Sequence, residues 1–171
     1  MKTLIFGDKN KFAFEIEQGV TGIKGYMKLW IEGKAIGDFK KQDEFIHAIY
    51  DFKKFDKTYT SLYEPIFDKM SIEEIHTYQL AEDLIWSENP KDLEEAERRQ
   101  VYIRFFGIQF DGLCSFISTY KDNYITWFVW YYKKNKDEYR SFKIKLEDYK
   151  KATTEFTIWF NKNLSEKYPP I

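Results

Sequence analysis

Phe12, Phe14 and Ile16 alternate with Ala13, Glu15 and Glu17. This is the two-residue period of a strand with one buried face. Tyr26 to Glu32 predicts a second strand after a glycine-containing loop, and Glu32-Gly33-Lys34-Ala35 a tight turn into a short strand ending at Gly37-Asp38. Ahead of the first strand, Gly7-Asp8 reads as a turn. The period then changes. Between Gln42 and Lys54 the apolar residues Phe45, Ile46, Ile49, Tyr50 and Phe52 recur at near-helical spacing, with Asp43 placed to cap or charge-complement the helix start.

Pro65 marks a boundary or the first turn of a short helical piece, where its ring is tolerated. Ser71-Ile72-Glu73-Glu74 has the form of a capping box, opening a helix that should run to about Trp86 before Ser87-Glu88-Asn89-Pro90 breaks it. Asp92 to Arg99 reads as a polar helix without an apolar face, solvated rather than packed. Strands return at Val101 to Phe106, Leu113 to Tyr120, Tyr124 to Tyr132 and Tyr139 to Leu146, all rich in β-branched and aromatic residues. Turn-like segments at Lys121-Asp122-Asn123 and Lys133 to Glu138 favour antiparallel connections. Tyr149, Ala152, Phe156, Trp159, Phe160 and Leu164 then mark one face of a C-terminal helix. The expected fold is a single α+β domain over residues 1–171, an antiparallel β-sheet with several packed helices and a C-terminal amphipathic helix.

Composition narrows this picture. A chain of 171 residues buries about 70% of its unfolded surface without needing a disulfide or a metal. The net charge of -1 lacks the basic excess of a nucleic-acid binder. Cys114 is the only cysteine, which excludes an intramolecular disulfide and fits a reducing cytoplasm. Leu4 to Phe6 is too short for the core of a signal peptide, so no export is expected. The longest apolar run, Ile125 to Tyr132, is interrupted by Thr126 and falls far short of the ~20 residues of a membrane span. Aromatic residues make up 20% of the chain. Exposed rings would form a stacking platform for sugars or single-stranded bases, but lysine outnumbers arginine 23 to 4, and an AT-rich coding bias accounts for both excesses.

Beyond these patterns, the run Leu4-Ile5-Phe6-Gly7-Asp8 through Glu17, its echo Tyr26-Met27-Lys28-Leu29-Trp30-Ile31-Glu32-Gly33 and the closing Ile36-Gly37-Asp38 resemble the start of a known family. That family is the bacterial immunity protein family forty-two of polymorphic toxin systems. Phe67 to Trp86, Phe110-Asp111-Gly112 and Phe142 to Phe160 are similar to its mid-chain helix, its Phe-Asp-Gly step and its terminal strand and helix. Lys9 stands where the family often has proline, a difference in turn rigidity. The resemblance implies a non-enzymatic cytoplasmic inhibitor that binds a cognate toxin domain, and it carries over no catalytic residues.

Candidate chemistry is sparse. His47, His76 and Cys114 cannot by themselves complete a four-ligand zinc site, and each reads as a structural residue. Gly22-Ile23-Lys24-Gly25 lacks the features of a phosphate loop. Glu15 and Glu17 share a strand face, a geometry that a carboxylate hydrolase would use and that outward solvation also explains. No cofactor or metal is expected. Charge is more informative. Between Ser71 and Glu97 lie nine carboxylates, Glu73, Glu74, Glu82, Asp83, Glu88, Asp92, Glu94, Glu95 and Glu97, against Lys91 alone, a formal -8. From Lys121 to Ile171, eleven basic and seven acidic residues give +4. Helix surfaces are often acidic for solvation alone. The functional reading is a toxin-binding surface that imitates phosphate charge before the basic cleft of a nuclease, with Trp86 as its anchor. The alternative is an aromatic-rich module for carbohydrate or single-stranded nucleic acid, and a carboxylate hydrolase comes third. Neither a membrane nor direct nucleic-acid contact is expected under the first reading.

Overall fold

Two antiparallel meanders form the framework. A computed structural model describes residues 3–37, 39–100, 103–104, 110, 114–131 and 138–168. The first sheet runs β1 (Thr3–Asp8), β2 (Phe12–Gln18), β3 (Lys24–Ile31) and β4 (Lys34–Ile36), and the two-residue strand β5 (Asp43–Glu44) shares the far edge of β3. The second runs β6 (Ile103–Arg104), β7 (Cys114–Lys121), β8 (Tyr124–Tyr131) and β9 (Glu138–Lys145). Asp122 and Asn123 both adopt positive φ, 52° and 63°, as a two-residue hairpin with right-handed twist demands.

The N-terminal turn is displaced from its expected position. Gly7 and Asp8 lie inside β1, paired with Ala13 and Phe12, and the turn is Lys9 to Lys11, closed by Lys11 N–H donating to the Asp8 carbonyl at 2.9 Å. Gly7 mimics a turn residue because its φ is +93°, but that conformation serves packing. A Cβ there would lie 2.4 Å from the Phe12 carbonyl oxygen and 2.8 Å from the Ala152 methyl.

Among the described residues, five α-helices complete the fold: α1 (Phe45–Thr58), α2 (Ile72–Leu80), α3 (Glu82–Ile85), α4 (Pro90–Gln100) and α5 (Leu146–Asn163). Helix α1 starts three residues later than its pattern suggests and continues past Lys54 to bury Phe55. Asp43 belongs to β5 and makes no cap; its carboxylate accepts from the Glu44 N–H and faces the His47 ring at 2.9 Å. The expected 71–86 helix divides at Ala81, whose left-handed φ of 51° ends α2 and starts α3. Helix α4 is not merely solvated: it packs on α2 and α3, and Ala96 is buried. Pro65 opens a short 3-10 turn, as its ring geometry favours.

The core is one continuous aromatic layer. Phe6, Phe12, Phe14, Ile16, Met27, Leu29 and Ile31 project from one face of the first sheet onto α1 and α5. Phe12 also meets Trp127 of β8 at 5.4 Å, which joins the two sheets. Ile125 pairs with Ile144 and Trp127 with Phe142 in the β8–β9 register, and all four are buried. Phe160 is completely buried on α5 and stacks on Tyr168 at 5.6 Å. Phe160→Ala should lower stability by about 3–5 kcal/mol, read by thermal or urea unfolding. Ile158→Ala, on the exposed side of the same helix, should change it by less than about 0.5 kcal/mol.

Candidate functional site

The acidic segment is built from the turn chemistry of its own residues. Ser71 Oγ accepts from the Glu74 N–H at 3.2 Å while the Glu74 carboxylate accepts from the Ser71 N–H at 2.7 Å, the reciprocal capping box. Those bonds, the backbone one foremost, hold the Glu74 carboxyl below its ordinary value. At the other end, Asn89 Oδ1 accepts from the Lys91 N–H at 3.1 Å and Pro90 occupies the first turn of α4. Ser87 Oγ donates to Asp92 at 2.6 Å and accepts from the Asn89 N–H at 3.1 Å, so the loop between α3 and α4 is cross-braced.

Arg98 ties α4 to α2 and to the segment that precedes it. Its guanidinium donates to Glu95 through Nε at 2.7 Å, to Glu64 through Nη1 at 2.6 Å and to the Tyr78 hydroxyl through Nη2 at 2.8 Å. Tyr78 itself donates to Glu64 at 2.9 Å. Arg99 donates to Glu95 at 2.8 Å and lies over the Tyr78 ring, 4.1 Å from its centroid. Bonds from Arg98 first and Arg99 second hold the Glu95 carboxyl at about 2, and Glu95 in turn raises Arg98.

The nine carboxylates therefore fall into two sets. Glu74, Asp92 and Glu95 are engaged within the helices. Glu73, Glu82, Asp83, Glu88, Glu94 and Glu97 are exposed, and none of them forms an ion pair among the described residues. Glu94 and Glu97 lie one turn apart, away from buried Ala96. Trp86 ends α3 with 85% of its surface exposed, the most open aromatic among the described residues. Beside it, Glu82 and Asp83 line a groove of about 380 Å³ together with Thr77, Tyr78, Leu80 and Arg99.

Other candidates resolve differently. His47 is exposed against Asp43, and His76 is buried on α2. The Cys114 backbone pairs with Tyr131, while its side chain lies outside the described residues, as do Asp111 and Gly112. Among the described residues, no group of three or more His, Cys, Asp or Glu is placed to hold a metal. No helix among the described residues is long and apolar enough to cross a membrane. Trp127 is in the core and Trp159 packs against it, while Trp30 donates to Glu15 and carries the Lys9 ammonium 4.2 Å above its ring. Glu15 is thus not simply solvated: burial pushes its carboxyl up, but bonds from Lys9 and Trp30 outweigh that and leave it below its ordinary value. A carboxyl held ionised is a poor general acid.

The Arg98 tie was the part of this region that sequence reading missed. Glu95, Arg98 and Arg99 stand at i, i+3 and i+4, a visible signal. Glu64, 34 residues away, gives none. Because Glu95 is depressed from 4.5 to about 2, its contribution is fully present above pH 4.5 and should disappear as pH falls toward about 2. Protection of the α4 amides, measured relative to their intrinsic exchange rates at each pH, should fall across that window. Arg98→Ala should flatten the pH dependence and leave α4 loose at neutral pH.

Comparison with known proteins adds two findings. A family model described as Immunity protein 42 matches residues 4–159. The fold is similar to that of the crystal structure of CdiI from Burkholderia dolosa, with a TM-score of 0.61 at 6% identity, covering 91% of this chain and 99% of that one. No curated protein matches the chain.

Proposed function

The chain belongs to the immunity protein 42 family, and on that footing we propose that it binds a cognate bacterial toxin domain in the cytoplasm and neutralises it by covering its active or binding surface, without catalysis. The family match over residues 4–159 carries this reading. The proposed contact surface is α2 to α4: Glu73, Glu74, Glu82, Asp83, Trp86, Glu88, Asp92, Glu94, Glu95 and Glu97. Its support is the exposure of Trp86 among carboxylates left without internal partners. An indole open to water is a costly surface feature, and Trp is prominent among residues that dominate binding energy. Of the ten, the six carboxylates without an internal hydrogen bond or ion pair among the described residues supply long-range field, whereas Glu74, Asp92 and Glu95 keep the helices in place. A basic nuclease is the partner that best fits such a field.

Attraction of this kind acts before contact and is screened over about 8 Å at physiological salt. With the cognate toxin domain as partner, association measured by surface plasmon resonance should slow steeply as salt rises. Glu82→Lys, Asp83→Lys and Glu88→Lys together should slow it strongly at low salt. Trp86→Ala should act on dissociation, costing about 2 kcal/mol or more. Wild-type association by the triple variant would move the contact surface elsewhere.

The non-catalytic reading has its own check. His47→Ala and Cys114→Ala, once shown to be folded by circular dichroism, should protect toxin-expressing cells as well as the wild type does. Loss of protection by folded Cys114→Ala would point instead to enzymatic neutralisation.

A further inference from the structure

The groove beside Trp86 has a charge pattern that names its occupant. We propose that it receives an arginine side chain of the bound partner, with the guanidinium held between Glu82 and Asp83 and the aliphatic stem over Tyr78 and Leu80. This rests on the toxin-binding reading of α2 to α4. The groove exists because Ala81, fully buried in a left-handed conformation, turns α3 away from the line of α2 and leaves Leu80 only partly covered. Its volume, about 380 Å³, lies within the range of cavities that enclose small organic groups, roughly 300–1,000 Å³.

Three charged residues line it, and only one already has its counter-charge. Arg99 is bonded to Glu95 at 2.8 Å and spread over Tyr78, with 19% of its side chain exposed, so its charge is met within the helices. Glu82 and Asp83 are exposed in the first turn of α3 and form no ion pair among the described residues. The unmatched charge is negative, and an occupant must be cationic. Arginine fits better than lysine. Its planar fork reaches two carboxylates at once, and it sheds water more easily against an apolar floor. Trp86 follows α3 directly, three residues beyond Asp83, and is 85% exposed.

Two measurements test this. In the first, isotope-labelled protein is titrated with acetyl-Gly-Arg-Gly-amide, and separately with the citrulline analogue, which keeps the shape and lacks the charge. The arginine peptide should shift the amide signals of Thr77, Tyr78, Leu80, Glu82 and Asp83, and Glu82→Gln/Asp83→Asn should weaken it at least about tenfold. Absence of shifts at these amides, equal shifts with citrulline, or an equal loss in Glu94→Gln/Glu97→Gln overturns the assignment. In the second, Glu82→Gln/Asp83→Asn should release the cognate toxin domain at least about tenfold faster. Unchanged release overturns the groove assignment even where Trp86→Ala weakens binding. If Trp86→Ala is also without effect, the contact surface falls with it.

Discussion

The close approach of α5 to the β1–β2 hairpin is the constraint on which the remaining structure depends. Gly7 has no space for a methyl group, and its N–H donates to the Glu155 carboxylate at 2.7 Å. Sheet and helix are thereby held at a separation that brings rings into contact. Phe156 sits at the centre, 5.2 Å from Phe6, 5.8 Å from Phe14, 5.7 Å from Phe52 and 6.1 Å from Phe45. Three of these contacts are edge-to-face, the arrangement that ring quadrupoles favour. One residue of α5 thus ties β1, β2 and the start and middle of α1 together. Tyr149, one helical turn before Thr153, extends the layer to Phe12, Phe55 and Trp127 and so to the second sheet.

Helices α2 to α4 are attached in a different way. Ile75 and Phe67 reach the core, but the outer ties are polar: Arg98 to Glu64, Tyr78 to Glu64, and Lys121 to Asp68 at 2.6 Å. Ion pairs at a surface contribute little each. Arg98 matters because one rigid guanidinium joins α4, α2 and the preceding loop. Carboxylates tied this way hold the helices in a defined arrangement, and those left untied face solvent.

How legible this was depended on how local each cause is. The alternation in β2, the 3.6-residue period of α5 and the Ser71/Glu74 box are all decided within a few neighbours, and the structure has them. Strand β1 was hidden because Gly7-Asp8 has turn chemistry, and the reason for Gly7 lies at Ala152, far along the chain. The break at Ala81 runs against propensity, since alanine is the best helix former, yet Ala81 is completely buried at a φ of 51°. Helix α4 looked solvated because Ala96 is the only small apolar contact its pattern offers, while its attachment comes from Arg98. The acidic character of the segment was plain in the sequence. Its division into tied and untied carboxylates was not, because Glu64 and Tyr78 are supplied from other elements.

The resolved shifts of the ionisable groups share a direction. Catalytic acids and bases are shifted toward the pH at which they work. Here the described shifts mostly run the other way. Glu74 and Glu95 are held down by donated hydrogen bonds, as is Asp68 by Lys121, and Arg98 and Lys121 are raised. Burial raises the Tyr78 phenol, and it pushes Tyr168 up to about 12. Each of these groups is fixed more firmly in the state it already has at neutral pH. Asp56 is the exception: burial raises it, against the opposing charge of Lys150. Glu74 and Glu95 therefore keep, across the physiological range, the charge on which the capping box and the Arg98 tie depend.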